Sequence, residues 1–390
     1  MEITADDAQV SKYSFLAEWY DTEAFLLKKF LLFFFPFDST LELYDLKNRR
    51  TFLKRTTVPG VRLKDLFIGN TVEVYSRQLK IIDYGDDTTR SKMSISLQKT
   101  FGMIKPDGLK HKGNIFRTIY NNGFVISKLK MAVLTKDQAS HLYEQHRSES
   151  FFSYLIEHVT SGPVIAMELI ADRAIANWSR LVGPTDPLEA RRSAPKSIRA
   201  CYGESVSHNA VHRATCEEHV QKAIDIFFPT EPTEIIKSPS SCAKLKNTTC
   251  CIIKPCAVKE GKLGDIVSTI TENGFEITAM QMFFMDRPNA EEFYEVYKGV
   301  VNEYQAMVNH LMSGPCIALE ISAFENEDTA VKFRELAGPA DPDIARKLRP
   351  NTIRARFGKD KIENAIHVTD LPDDAPLEVL YFFKILSLAA

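Results

Sequence analysis

The sequence has almost no net charge, no cysteine framework and no long apolar run, and each lack narrows the field. Lysine and arginine (49) nearly balance aspartate and glutamate (51), leaving −2 at neutral pH, so no global basic field points to nucleic acid as a partner. The seven cysteines, Cys201, Cys216, Cys242, Cys250, Cys251, Cys256 and Cys316, form no CxxC pair and no Cys/His zinc spacing. Met1 to Asp7 carry acids where a secretory leader would carry bases, and unpatterned thiols in an odd number fit a reducing cytosolic compartment. The greasy run Phe30 to Phe37 is eight residues long, against the ~20 that span a bilayer. It reads as a strand, and no membrane partner is expected. GxxxxGK[ST] and GxGxxG are both absent, which excludes a P-loop and a dinucleotide turn.

What is present divides the chain. A length of 390 residues suggests two or three domains. Residues 1–92 contain no histidine and no cysteine, and nothing in them looks catalytic. Aromatic and β-branched runs at Phe15–Tyr20, Leu26–Phe35, Thr40–Tyr44, Arg50–Lys54, Thr71–Tyr75 and Leu79–Tyr84 alternate with turn signals such as Pro59-Gly60 and Gly69-Asn70. They predict six strands of a small all-β domain, a sandwich, a barrel or a PH-like sheet. Lys47, Arg49, Arg50, Lys54, Arg55, Arg62 and Lys64 gather in its middle and read as a solvated face. Residues 85–95 are polar and turn-rich and read as a linker.

The rest is a repeat. Residues 93–236 and 247–390 carry the same motifs in the same order, with a linker at 237–246 that follows on a Pro/Ser/Thr-rich stretch over Thr230–Ser241. Ile104-Lys105-Pro106 answers Ile253-Lys254-Pro255, Asn122-Gly123-Phe124 answers Asn273-Gly274-Phe275, and Ser161-Gly162-Pro163 answers Ser313-Gly314-Pro315. Gly183-Pro184-Thr185-Asp186-Pro187 answers Gly338-Pro339-Ala340-Asp341-Pro342. Arg199, Asn209 and His212 recur as Arg354, Asn364 and His367, each pair 155 positions apart. A cation, an amide and an imidazole copied at fixed spacing is hard to obtain from packing alone. Each repeat reads as strand–helix–strand followed by helix–strand–helix, a split βαβ, ferredoxin-like α+β unit with extra helices.

These motifs resemble the nucleoside diphosphate kinases, over roughly residues 97–236 and 247–385. The β-rich module ahead of them is similar to the DM-ten type module of cilium- and flagellum-associated proteins. The resemblance implies transfer of the γ-phosphate of ATP to nucleoside diphosphates, with Mg²⁺ carried on the ATP. It also implies a phosphohistidine relay at His212 and His367. Histidine suits it because imidazole, with an ordinary pKa of about 6.5, is largely neutral and nucleophilic at pH 7, and because covalent relay splits the reaction in two. It implies that Lys105 and Asn209 hold the ribose hydroxyl, that Tyr143 lies beside the phosphohistidine, and that Thr185 and Arg199 hold phosphates. Phe151 and Val206 would sandwich the base, with Leu155 nearby. The matching positions of the second repeat are Lys254, Tyr294, Arg334, Arg354 and Asn364, with Glu378 orienting His367. The N-terminal module implies tubulin, axonemal microtubule proteins or centrosomal complexes as partners, and a place in cytoplasm, cytoskeleton, cilium or flagellum axoneme, or centrosome. The two repeats are expected to pack as an internal pseudo-dimer within a monomer.

Both copies depart from the pattern. In the first, Ser179 stands where the second phosphate arginine is expected, Ala223 where the orienting glutamate is expected, and Ala214 replaces a serine. In the second, Ala340 replaces the threonine, Thr369 replaces the serine, Glu303 or Tyr304 falls at the aromatic position, and Lys361 stands where Val206 does. The first repeat is therefore expected to be the more active. The competing expectation is a largely structural microtubule-associated protein with weak or vestigial activity. His111, His141, His146, His158, His208, His219 and His310 read as ordinary surface or core histidines.

Overall fold

The computed structural model describes residues 11–21, 24–75, 77–96, 98–229, 238–323 and 328–387. The acidic N-terminus and the linker stretch 230–237 lie outside the described residues. The N-terminal module is one six-stranded antiparallel sheet: β1 Tyr13–Asp21, β2 Leu26–Phe35, β3 Thr40–Asp45, β4 Arg50–Thr57, β5 Thr71–Val74 and β6 Arg77–Tyr84. Their order is β4-β3-β2-β1-β6-β5. Alternation explains it: inward Phe15, Phe30, Leu32, Leu41, Leu43, Leu79 and Ile81 form one core while their neighbours face water.

The stretch 85–95 is not a linker. Residues Asp87–Ser96 form a helix, and its Met93 is buried in the module's core. Asp86 caps the helix by accepting from the Thr89 backbone N–H at 2.6 Å, and Thr89 in turn accepts from Ser14 N at 2.8 Å. Polar composition hid a helix that is anchored through Met93.

The first repeat contributes β7 Gln98–Ile104, β8 Val125–Val133, β9 Val164–Ala171 and β10 Val211–Arg213. Ser240–Ser241 forms β11, and the second repeat contributes β12 Thr248–Ile253, β13 Phe275–Phe283, β14 Cys316–Ala323 and β15 Ile366–Val368. They make a single sheet in the order β10-β7-β9-β8-β13-β14-β12-β15, with β11 paired to β8. Read from either edge the order is the same, so the repeats are related by an approximate two-fold axis between β8 and β13. Those strands pair antiparallel at Lys130 and Gln281.

Beneath that seam, helices Lys112–Asn121 and Leu263–Glu272 cross at mutual glycines. A Cβ on Gly264 would come within 2.6 Å of Arg117 N and Gly113 O, so only glycine allows this approach. Arg117 Nε also pairs with Asp265 at 2.7 Å. One hydrophobic core runs through both repeats on this side, from Ile115 and Trp178 to Ile266 and Phe333. The expected internal pseudo-dimer is thus built into the chain.

The linker is partly structured. β11 extends the first repeat, and the Lys244 and Leu245 N–H groups donate to the buried Glu320 carboxylate at 2.8 and 2.7 Å. Among the described residues no helix is long and apolar enough to cross a membrane.

Candidate active site

The site forms at the free edge of each half-sheet. β10 lies against β7 with Val211 opposite Ile104 and His212 opposite Met103. The turn before it is strained: Ala210 has φ +65°, and Val211 N donates to Asn209 O at 2.7 Å, a three-residue turn. Lys105 N donates to Ala210 O at 2.8 Å, and the Asp107 carboxylate accepts from Ala210 N at 2.8 Å. The second repeat repeats the device, with Ala365 at φ +71°, Ile366 N to Asn364 O at 2.9 Å and Lys254 N to Ala365 O at 2.9 Å. Positive φ at a non-glycine residue costs roughly 1–3 kcal/mol. Here it turns the amide and the imidazole toward one point, twice.

In the first repeat the repeated polar residues converge. Lys105 Nζ donates to Asn209 Oδ1 at 2.8 Å and to Ser207 O at 3.1 Å. Asn209 Nδ2 donates to Thr185 O at 3.1 Å and Val206 O at 2.8 Å. Arg199, on the helix Ile198–Tyr202, donates to Gly183 O at 3.2 Å, Val211 O at 3.1 Å and Thr185 Oγ1 at 3.5 Å. The Tyr143 ring meets the His212 ring edge-on at 4.9 Å between centroids. Among the described residues, the buried Tyr143 hydroxyl and Arg199 Nε have no hydrogen-bond partner. Buried polar groups are usually satisfied, so two orphan donors beside one histidine mark a place for an acceptor-rich ligand.

The electrostatics agree. Burial, with the Arg199 charge second, pushes the Lys105 amine down to about 7, against an upward pull from Asp107. Burial also holds Arg199 down to about 10. His212 is held well below the ordinary imidazole range by burial and then by Lys105 and Arg199, so it is neutral at pH 7. Asp107 is already engaged, accepting from Ala210 N and from His158 Nε2 at 2.8 Å. The pocket is short of negative charge, which a polyphosphate supplies. Among the described residues no group of three or more His, Cys, Asp or Glu stands placed to hold a metal ion. A Mg²⁺ carried on a bound polyphosphate would leave the remaining phosphate oxygens to Lys105 and Arg199.

The other expected residues line the approach. Phe151 is partly buried, with His146 packed against its ring at 5.7 Å. Val206 is exposed at the rim, whereas Leu155 is buried in the outer core. The expected orienting glutamate has no counterpart: Ala223 is a fully buried core residue, and no described side chain hydrogen-bonds the His212 ring.

The second site is built differently. The His367 ring donates from Nε2 to the Glu378 carboxylate at 3.2 and 3.3 Å, and Thr369 Oγ1 donates to the same carboxylate at 2.8 Å. Since a carboxylate only accepts, Nε2 carries the proton of this hydrogen bond. Tyr294, Phe293 and Tyr297 surround this histidine at 5.8, 4.9 and 6.4 Å between centroids. Lys254, pushed down to about 7 by burial and then Arg354, donates to Ile362 O at 3.0 Å, and Asn364 Oδ1 has no partner among the described residues. Arg354 holds Gly338 O at 2.8 Å, and Asn364 Nδ2 holds Ala340 O at 2.9 Å. Arg334 is drawn to Asp370, donating to its carbonyl and lying 3.6 Å from its carboxylate. That carboxylate also accepts from Tyr297 Oη at 2.5 Å.

Sequence reasoning passed over Asp107, His158, Arg213 and Asp370. His158 is not an ordinary core histidine, because it anchors the carboxylate that fixes the strained turn, with the His208 ring packed 3.9 Å away. Three of the four occur in one copy only: Cys256, Val368 and Thr215 stand where the other copy has Asp107, Arg213 and Asp370, whereas His158 recurs as His310.

The family described as "Nucleoside diphosphate kinase" matches residues 98–233 and 247–387, and "Nucleoside diphosphate kinase 7 N-terminal PH domain" matches residues 7–95. The chain is 50% identical to nucleoside diphosphate kinase homolog 7 of Rattus norvegicus over 97% of its own length and 94% of the relative's. The Mus musculus homolog 7 gives the same figures. A solved structure of a halophilic nucleoside diphosphate kinase from Halobacterium salinarum in complex with CDP is 31% identical over 34% of this chain and 87% of that one, with a TM-score of 0.31.

Proposed function

The chain belongs to the nucleoside diphosphate kinase family, and from that premise we propose that it transfers the terminal phosphate of ATP to nucleoside diphosphates through a phosphohistidine. The observation that carries the proposal is a buried, neutral His212 set among Lys105, Arg199 and an unpartnered Tyr143 hydroxyl. A ring nitrogen of His212 attacks the γ-phosphorus, the bond from that phosphorus to the β–γ bridging oxygen breaks, and the nucleoside diphosphate leaves. In the second half, a terminal oxygen of an incoming diphosphate attacks the same phosphorus, the N–P bond breaks and neutral imidazole returns. Phosphoryl transfer asks mainly for positioning and charge neutralisation. Lys105 and Arg199 offer both, and the strained turn at Ala210 holds the nucleophile still.

The test is incubation with γ-labelled ATP. An acid-labile label on His212 that passes to an added diphosphate is the expected result, and an unlabelled chain overturns the proposal. The Glu378–His367 pair supports a second reactive histidine, though Arg334 there is committed to Asp370. We also propose that the N-terminal module docks on microtubule proteins of cytoskeleton or cilium. It is supported by an exposed apolar rim at Phe25, Leu26 and Leu27, which a solitary soluble sheet has little reason to keep.

A further inference from the structure

The two sites carry their arginines in different places. The second has Arg334 on the helix Thr329–Ala337 and Val368 directly after its histidine. At those positions the first has Ser179 and Arg213. One arginine has been lost from the helix and one has been gained on the strand.

The geometry shows that these changes meet. Arg213 Nη1 donates to Ser179 Oγ at 2.5 Å, so the guanidinium lies against the helix position that bears the arginine in the other copy. β10 is the outermost strand of the sheet, and a side chain beside that edge can reach round it toward His212. Among the described residues no carboxylate pairs with Arg213. Thr215 stands where the second site has Asp370, the acid that engages Arg334. Arg213 also lies close enough to Arg199 that, after burial, its charge is the strongest influence lowering the Arg199 pKa. Two guanidiniums this close, one of them in the His212 site, repel unless an anion joins them.

We propose that Arg213 binds the nucleotide's phosphates in the first site, supplying from the histidine strand the guanidinium that the second site carries on its helix. The proposal rests on the reading of His212 as the centre of a nucleotide site. It makes the first site the stronger polyphosphate binder, because its arginine is free of carboxylate while Arg334 has to be released from Asp370.

The experiment uses the full chain with Arg354→Ala and His367→Ala, which silence the second site. Inorganic tripolyphosphate binding is measured by calorimetry, and labelling by ATP is followed in parallel. Arg213→Ala should weaken tripolyphosphate binding about tenfold to hundredfold, the range for hydrogen bonds to charged groups. Adding Ser179→Arg to Arg213→Ala should restore it, a rescue that a merely structural role for Arg213 would not show. Binding unchanged to within about twofold in Arg213→Ala, a loss that Ser179→Arg leaves unrepaired, or a parent chain that ignores tripolyphosphate overturns the proposal. Tripolyphosphate binding that depends on Arg213 in a chain that ATP never labels sinks the kinase reading alone. Normal labelling with no dependence on Arg213 sinks this inference alone.

Discussion

Nucleotide binding should take up a proton, and the proton should go to Lys105. In the free protein burial and the Arg199 charge hold that amine down to about 7, whereas the ordinary lysine value is about 10.4. A bound polyphosphate reverses the balance by placing several negative charges beside it. Below pH 7 the free lysine is already charged, and affinity is flat. Above pH 7 the protein must recover a proton in order to bind, so affinity should fall about tenfold per pH unit, 1.36 kcal/mol each, until the pKa of the complex is reached. At pH 8 roughly nine tenths of the free lysines are neutral, so about 0.9 proton should be absorbed per nucleotide. Lys254 has the same depressed value, so the measurement belongs in a Lys254→Gln chain. Titration calorimetry at pH 8 in buffers of different ionisation enthalpy counts the protons directly. Lys105→Gln should bind more weakly and with no pH slope. Affinity that stays constant between pH 7 and 9, or a slope that survives Lys105→Gln, refutes the reasoning.

Two further outcomes test the architecture. Gly264→Ala forces a Cβ to within 2.6 Å of backbone atoms on the facing helix. It should cost about 1–3 kcal/mol and lower the Tm by roughly 2–10 °C; an unchanged calorimetric midpoint contradicts the close crossing. The full chain should also sediment with microtubules if its N-terminal module docks there, and a chain left wholly in the supernatant contradicts that proposal.

Much of this was legible in the sequence because it is written twice. Strand positions in the N-terminal module follow from alternation, and the observed β1 to β6 fall within a few residues of the expected runs. Lys105, Arg199, Asn209 and His212 were found by their recurrence, and the fold brings them together. What the sequence hid was asymmetric or compensatory. The helix Asp87–Ser96 is mostly polar, and it is anchored through Met93, so its composition reads as a linker. Asp107 and His158 act on the site through a turn whose left-handed residue is an alanine rather than a glycine, leaving no mark in the sequence. Arg213 has no counterpart in the second repeat, and only the fold sets it against Ser179. Ala223 reads as a lost glutamate, and the structure gives it a second meaning as a core residue on the helix Glu217–Phe227.

The central claim is that His212 carries the phosphate. The decisive measurement is transfer of label from γ-labelled ATP to a diphosphate by the wild-type chain, His212→Ala, His367→Ala and the double variant. The account predicts that His212→Ala removes most of the acid-labile label and of the transfer, and that His367→Ala keeps most of both. Transfer that survives intact in His212→Ala, or a wild-type chain that takes no label, contradicts it.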